Sequence, residues 1–220
     1  MAQVKFLVSG FESSGKSTIT SKIKDAFVIN CDNKGYVFKV PHTNVREWKG
    51  FANFKSQVID AIMRYKEKFG DLPKVLVIDT ITQLYTSMTR YNSVAYKGYE
   101  IHKQNTTDTL EINNFLETAI LPKMDLVIVA HTKIDEASGR PVIPASGQFK
   151  DSGSWHSIVN NSIFIDKSTG ELIVYLKGFQ YTTRTTLTDL PEYEMADKYD
   201  INAHLDKLRG AVDETTDLEV

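Results

Sequence analysis

Residues 10–17 read Gly10-Phe11-Glu12-Ser13-Ser14-Gly15-Lys16-Ser17, two glycines bracketing four residues and followed by a lysine and a hydroxyl. The pattern G-x-x-x-x-G-K-[ST] has one well-defined chemistry. Successive backbone N–H groups curl around phosphate oxygens, the lysine adds a positive charge, and the hydroxyl offers a ligand to Mg²⁺. Gly10, Glu12, Ser13, Ser14, Gly15, Lys16, Ser17 and Thr18 are the candidate nucleotide-binding residues. A divalent cation needs a second protein anchor, and the apolar run Val75-Leu76-Val77-Ile78-Asp79 ends in one, so Ser17 and Asp79 form the candidate metal pair. The ordinary alternative for Asp79 is a cap on the helix that starts near Thr80. Two more polar residues close apolar runs: Asp32 after Ile29-Asn30-Cys31, and His131 after Asp125–Ala130. Asp32 also suits a turn before Asn33 and Gly35, and His131 a local strand-end hydrogen bond.

A phosphate loop works only between a strand and a helix, and the flanking pattern provides both. Val4 to Ser9, Ala26 to Cys31, Lys74 to Asp79 and Asp125 to Ala130 read as buried strands, apolar on both faces as parallel strands covered by helices must be. Lys16 to Asp25 reads as a helix. Phe54, Val58, Ile62, Tyr65 and Phe69 recur at helical spacing and are stopped by Gly70 and Pro73, while Leu84, Tyr85, Met88 and Tyr91 mark another helix. Asn92 to Thr107 is polar and reads as a connection; Asp108 with Glu111 three residues on resembles a capping box, and Pro122 ends that helix. Lys133 to Gly153 is rich in Gly, Pro and Ser and reads as a long functional loop. Ser162 to Asp166, Glu171 to Lys177 and Thr183 to Leu187 are strand-like, and Asp200 to Gly210 forms a last short helix. The expected fold class is α/β, a mostly parallel central sheet flanked by helices with a β-rich C-terminal part. The expected division is a core over 1–188 and an acidic extension over 189–220.

With 220 residues, 41% hydrophobic and 25% charged, the chain suits one compact domain and excludes a disordered segment or a coiled-coil rod. No apolar run approaches the roughly 18 residues of a spanning helix, so no membrane partner is expected. One cysteine, Cys31, allows no internal disulfide, and the five histidines show no metal-ligand spacing; a reducing cytoplasm is the expected location. Net charge is −2, yet residues 186–220 hold ten acids against three basic residues. That end serves solubility, or competes with an anionic partner for a basic surface elsewhere.

Two other classes of phosphate-loop protein are open. Thr132-Lys133-Ile134-Asp135 mimics the N-K-x-D element that reads guanine, but no glycine follows Asp79 within three residues to sense a γ-phosphate. A small-molecule kinase would want an arginine-rich lid, and residues 134–153 offer only Arg140 and Lys150.

The loop Gly10–Ser17 resembles the G-P-E-S-S-G-K-T loop of the RecA recombinase family, and Val77-Ile78-Asp79-Thr80 resembles that family's hydrophobic-Asp-Ser element. The resemblance spans about residues 4–185 and implies a RecA-like P-loop ATPase using ATP and Mg²⁺. It casts Lys16 and Asp79 as catalytic. Asp32 stands where the family has a glutamate that polarises the attacking water, one methylene shorter here, and His131 stands where a polar residue links the γ-phosphate to a DNA-binding loop. It also implies single-stranded DNA as a partner, met by Arg140 and Lys150 on phosphates and by Phe149 or Trp155 stacked on bases. Trp155 alternatively anchors the next helix in the core. Lys177 and Arg184 are the candidates to act across a homo-oligomer on a neighbour's nucleotide, or are edge-strand surface charges. The chain looks like the minimal RecA-core proteins of bacteriophages, described as AAA-family ATPases or single-strand annealing proteins, whose aromatic-Gly-Lys-Gly-aromatic segment Tyr96-Lys97-Gly98-Tyr99 partly fits. That likeness implies DNA recombination, annealing or repair, with a single-strand binding protein as an accessory. A nucleotide-dependent assembly or scaffold module without DNA is the alternative.

Overall fold

The computed structural model describes residues 3–32, 34–45, 47–144 and 155–213. Its centre is an eight-stranded sheet of β1 (Lys5–Gly10), β2 (Ala26–Asn30), β3 (His42–Asn44), β4 (Val75–Asp79), β5 (Asp125–His131), β8 (Asn161–Asp166), β9 (Ile173–Tyr175) and β10 (Tyr193–Met195). In space they run β10-β9-β8-β1-β5-β4-β2-β3. From β8 to β3 all neighbours are parallel, and β9 and β10 add antiparallel strands at one edge. The mostly parallel α/β sheet with a β-rich C-terminal part is therefore present. A small hairpin, β6 (Lys133–Ile134) and β7 (Pro141–Val142), stands apart.

Strand alternation sorts the core into two layers. Leu7, Leu76, Ile78, Leu126, Ile128 and Ala130 face α2 (Phe51–Phe69), α3 (Ile81–Ala95) and α4 (Tyr99–Phe115). Phe6, Val8, Val75, Val77, Val127 and Val129 face the opposite way, toward α1 (Lys16–Thr20) and α6 (Ile201–Asp213). The short α5 (Trp155–Ile158), which leads into β8, packs in the first of these layers.

Three expectations need correction. Asn92 to Thr107 is no loop: α3 runs to Ala95 and α4 starts at Tyr99, with only a break around Gly98, whose φ is 57°. Asn92 and Asn105 of that stretch are buried against Asp108. Asn92 Nδ2 donates to Asn105 Oδ1 at 2.9 Å and to Asp108 Oδ2 at 2.7 Å, and Gln104 Nε2 donates to Asp108 Oδ1 at 2.8 Å. Asp108 thus sits inside a helix and caps nothing. Residues 183–187 make only an isolated bridge, Arg184 to Ser162, because the outer edge of the sheet is taken by β9 and β10. Finally, the boundary at 188 cuts through packing. β10 hydrogen-bonds to β9, and Tyr199, Ile201, Leu205 and Leu208 of the expected extension lie in the same core as β1.

Arg209 fixes α6 to the start of the sheet. Its Nε and Nη2 donate to Asp125 Oδ2 at 2.7 and 2.5 Å, and the Val4 N–H donates to Asp125 Oδ1 at 2.8 Å.

Candidate nucleotide site

Parallel strands aim their carboxyl ends at one rim, and ligands of open α/β sheets bind in the crevice there. Gly10, Asn30, Asp79 and His131 are the last residues of β1, β2, β4 and β5. With β5 hydrogen-bonded between β1 and β4, Gly10 lies directly beside His131 in register. The loop that starts at Gly10, the acid that ends β4 and the histidine that ends β5 therefore open on one cleft of about 510 Å³. It is lined by Glu12 to Thr18 with Asp32, Lys34, Thr80, Gln83 and His131. A larger cleft of about 670 Å³ lies away from this rim, between β3 and the C-terminal half of α2, and none of the chemistry-bearing residues above lines it.

The loop's glycines are demanded by space and by backbone. A Cβ on Gly10 would stand 2.4 Å from the Ile165 carbonyl oxygen of β8, a backbone atom that cannot swing aside. Gly15, at φ 87°, holds the left-handed turn that starts α1, and a Cβ there would press on Leu172 at 3.0–3.1 Å. Phe11 packs edge to face on Phe164 of β8, with centroids 5.5 Å apart, pinning the loop to the sheet.

Lys16 is 4% exposed, and its Nζ donates to the carbonyl oxygens of Gly10 (2.9 Å) and Phe11 (2.5 Å) and, at 3.4 Å, to Ser14 Oγ. Burial lowers its pKa to about 8, against the pull of Asp79, Glu12 and Asp32. Asp79 is 3% exposed, and burial raises its carboxyl pKa; a hydrogen bond from Ser17 and the charge of Lys16 work the other way. The cap alternative for Asp79 is not what the structure uses: Thr80 Oγ1 accepts from the Gln83 N–H and caps α3 itself. Ser17 and Asp79, a hydroxyl joined to a buried carboxylate beside a phosphate cradle, are hard oxygen donors that fit Mg²⁺. Among the described residues no group of three His, Cys, Asp or Glu side chains forms a metal site.

Asp32 lines the cleft with part of its carboxylate engaged. Its Oδ1 accepts from the Lys34 N–H at 3.3 Å, the expected turn, which Asn30 reinforces by accepting from Asp32 N–H and donating to the Lys34 carbonyl. The His131 backbone N–H donates to Thr82 Oγ1 at 3.1 Å, and its ring Nδ1 is buried with no partner among the described residues. Burial first, then the Lys16 charge, lower its pKa to about 4, so the ring is neutral near pH 7.

The other predicted residues stand elsewhere. Trp155 is 1% exposed, and its Nε1 donates to Tyr85 Oη at 2.9 Å; Tyr85 in turn donates to Asn113 Oδ1 at 2.9 Å. Its ring faces are covered by the core, so it is the anchor of α5 and has no face to stack on a base. Phe149 and Lys150 lie outside the described residues. Arg140, on the turn of the β6–β7 hairpin, lies over the ring of Phe179, 5.8 Å from its centroid, and Phe179 is 79% exposed. Lys177 Nζ donates to the Thr188 carbonyl at 2.8 Å. Arg184 Nη1 donates to the carbonyls of His156, Ser157 and Val159 at 3.2–3.4 Å, closing the end of α5. Neither lines the cleft of its own chain. Asp135, the acid of the guanine-reading alternative, does not line the cleft, and its Oδ2 accepts from Ser138 N and Oγ at 2.9 and 2.6 Å within the hairpin turn. Gln83 and Lys34, which do line the cleft, have no motif of their own. Their only sequence signal is position, four residues past Asp79 and two past Asp32.

A phosphate loop on the central strand of a mostly parallel sheet, with its cation partner two strands away, defines a P-loop nucleotide-binding domain of the α/β class. The family model described as an AAA domain matches residues 2–143, more than half of the chain, and the chain belongs to that family of P-loop ATPases. No curated protein matches it in sequence. Among solved structures, a KaiC-like protein from the hyperthermophilic archaeon Pyrococcus horikoshii is similar over 84% of this chain and 82% of that one, with 12% identity and a TM-score of 0.45.

Proposed function

We infer that this AAA-family chain hydrolyses Mg-ATP in the cleft at the ends of β1, β4 and β5, and couples that cycle to single-stranded DNA in recombination, annealing or repair of the bacteriophage type. The observation that supports hydrolysis is the meeting on one rim of Lys16 and Ser17 from the start of α1, Asp79 and His131 from the ends of β4 and β5, and Asp32 from the turn after β2. Lys16 exchanges the Gly10 and Phe11 carbonyls for β- and γ-phosphate oxygens. Ser17 and Asp79 would hold Mg²⁺, which when bound neutralises charge on the phosphates. Asp32 orients the attacking water with the oxygen not given to Lys34 N–H. A carboxylate shared with its own turn and one methylene short makes a slow catalyst, because positioning errors near 1 Å cost about 10²-fold.

His131 is the joint to DNA. Its neutral Nδ1 is free to accept from the nucleotide side, and the β6–β7 hairpin begins two residues on. Arg140 over the exposed Phe179 ring offers charge and an aromatic face together, the sequence-tolerant chemistry that grips unpaired strands. Lys177 and Arg184 are the groups a neighbouring copy would present in a homo-oligomer, after leaving the carbonyls that now hold them.

Steady-state hydrolysis titrated with single-stranded DNA at rising salt tests this reading. Stimulation that fades steeply with salt is the expected result. Turnover indifferent to DNA would favour the assembly module, a reading that the acidic C-terminal end and the burial of Trp155 both favour.

A further inference from the structure

Positive charge gathers at the β3 edge of the sheet, away from the nucleotide rim. Residues 34–74 hold nine basic residues against four acids, in a chain whose net charge is −2. β3 is the last strand on that side, and the cleft of about 670 Å³ between it and α2 opens there. Three cations line it: Lys39 from the segment that enters β3, and Arg64 and Lys68 from α2. All three are exposed, and none forms an ion pair among the described residues. The one acid of the lining, Asp60, accepts from Ser56 Oγ at 3.3 Å.

The wall beside these cations is aromatic. Phe27 is buried at its base, Tyr65 packs on Phe27 with centroids 5.3 Å apart, and Phe69 packs on Tyr65 at 4.5 Å. The row runs from the core outward to Phe69, which is 51% exposed and has Lys68 Nζ 5.4 Å from its centroid. A helix C-terminus welcomes Lys66 and Lys68, which accounts for those two alone. It does not account for Arg64, whose place four residues before Lys68 sets like charges one turn apart at a cost to the helix, nor for Lys39, which comes from another element.

Arg64 and Lys68 are about 6 Å apart along the helix axis, close to the step between successive phosphates of a nucleic-acid backbone. Unpaired cations for phosphates beside a half-exposed ring for a base are what hold a single strand whatever its sequence. A duplex hides its base faces, and an acidic peptide brings carboxylates but no base to lay on the ring. Resting on the reading that single-stranded DNA is the partner, we propose that the cleft between β3 and α2 is a second single-strand site, in which Lys39, Arg64 and Lys68 hold phosphates and Phe69 stacks on a base. It is separate from the β6–β7 hairpin, so one chain can hold two strands, or two stretches of one.

Anisotropy of a labelled oligothymidylate of about eight nucleotides, within the range one module covers, tests this across a series of salt concentrations. The cleft variants are made in Arg140→Ala, so that the hairpin does not mask the cleft. They are Arg64→Ala with Lys68→Ala, Phe69→Ala, and Lys55→Ala with Lys66→Ala, a control of equal charge on the same helix outside the cleft lining. Removing Arg64 and Lys68 is expected to weaken binding and to lower the slope of log affinity against log salt by about 1.4, at about 0.7 for each phosphate contact of a single strand. Phe69→Ala is expected to weaken binding at least about fivefold, the low end for one stacked base, with the slope unchanged. The control is expected to keep its parent's slope, and melting temperatures to match throughout. A slope in the Arg64 and Lys68 variant equal to that of the control overturns the proposal, and so does an Arg140→Ala chain that no longer binds a strand the unsubstituted chain holds. Capture of polyglutamate in place of the strand, lost with Arg64 and Lys68, would make the cleft a peptide site and overturns it too. An unsubstituted chain that binds no strand at low salt, with and without Mg-ATP, defeats the DNA reading itself, an outcome separate from strand binding that ignores the cleft.

Discussion

Lys16 is the residue on which most of the chemistry turns, and its environment sets a pH dependence. Burial brings its pKa down to about 8, so the ammonium is present at neutral pH and is lost as pH rises through that value. Affinity for the ATP analogue should therefore fall between pH 7 and pH 9, and a Lys16→Arg chain should lose that slope along with much of its affinity. His131 gives the opposite window. Its folded pKa near 4 lies below the ordinary 6.5, as does that of His204, so the unfolded chain binds protons that the folded one refuses. Stability is thus complete above pH 6.5 and declines as pH falls toward 4; His204→Gln should flatten part of that decline in urea melts at pH 5 and pH 7. At this scale the sequence was most legible where the residue types allow one geometry. Gly10 to Ser17 and Asp79 announce themselves because few arrangements satisfy a phosphate. Asp32 had an ordinary role that the structure also realises, the turn to Lys34; for His131 the bond to Thr82 is made by the backbone N–H, while its ring Nδ1 makes no such bond among the described residues. Trp155 was ambiguous for the same reason, since an indole suits a buried anchor as well as a base.

Helices carried the largest difference between expectation and structure. Periodicity finds a helix by its apolar stripe, and α3 with the first half of α4 bury asparagine, glutamine and aspartate against one another instead. No apolar stripe marks such a contact. The second polar link, Trp155 to Tyr85 to Asn113, ties α5 to the same pair of helices and spans residues 28 and 70 positions apart in sequence. Tyr85→Phe leaves the Trp155 N–H and the Asn113 carbonyl oxygen buried and unpaired. It should cost about 1–3 kcal/mol in urea denaturation, whereas Trp155→Ala, which also empties a core site, should cost about 3–5 kcal/mol. A Tyr85→Phe chain as stable as the original would show that the link holds nothing. The short edge strands β3 and β10, three residues each, were invisible for a different reason: pairing with a neighbour defines them, and alternation over three residues is no signal.

Across the whole molecule, the alternation of strand and helix was enough to read the sheet, its parallel sense and the rim where chemistry gathers. Where the core ends was not. A polar, acidic composition past residue 188 suggested an appendage, yet α6 closes one face of the sheet and Arg209 pairs with an Asp125 whose side chain is 6% exposed. Removing Arg209 leaves that carboxylate buried without its partner, and Arg209→Ala should destabilise the whole chain by about 3 kcal/mol, seen as a lower urea midpoint with an unchanged slope. The same integration makes the phosphate loop depend on distant packing, because Gly10 and Gly15 are pressed by Ile165 and Leu172 of the β-rich part that α6 supports. The central claim is that this one rim binds and hydrolyses Mg-ATP. Release of inorganic phosphate from ATP, followed for the unsubstituted chain and for Asp79→Asn at equal nucleotide saturation, tests it most directly. Slow, Mg²⁺-dependent release that Asp79→Asn reduces by 10²-fold or more is the expected result, and release that Asp79→Asn leaves unchanged would contradict the account.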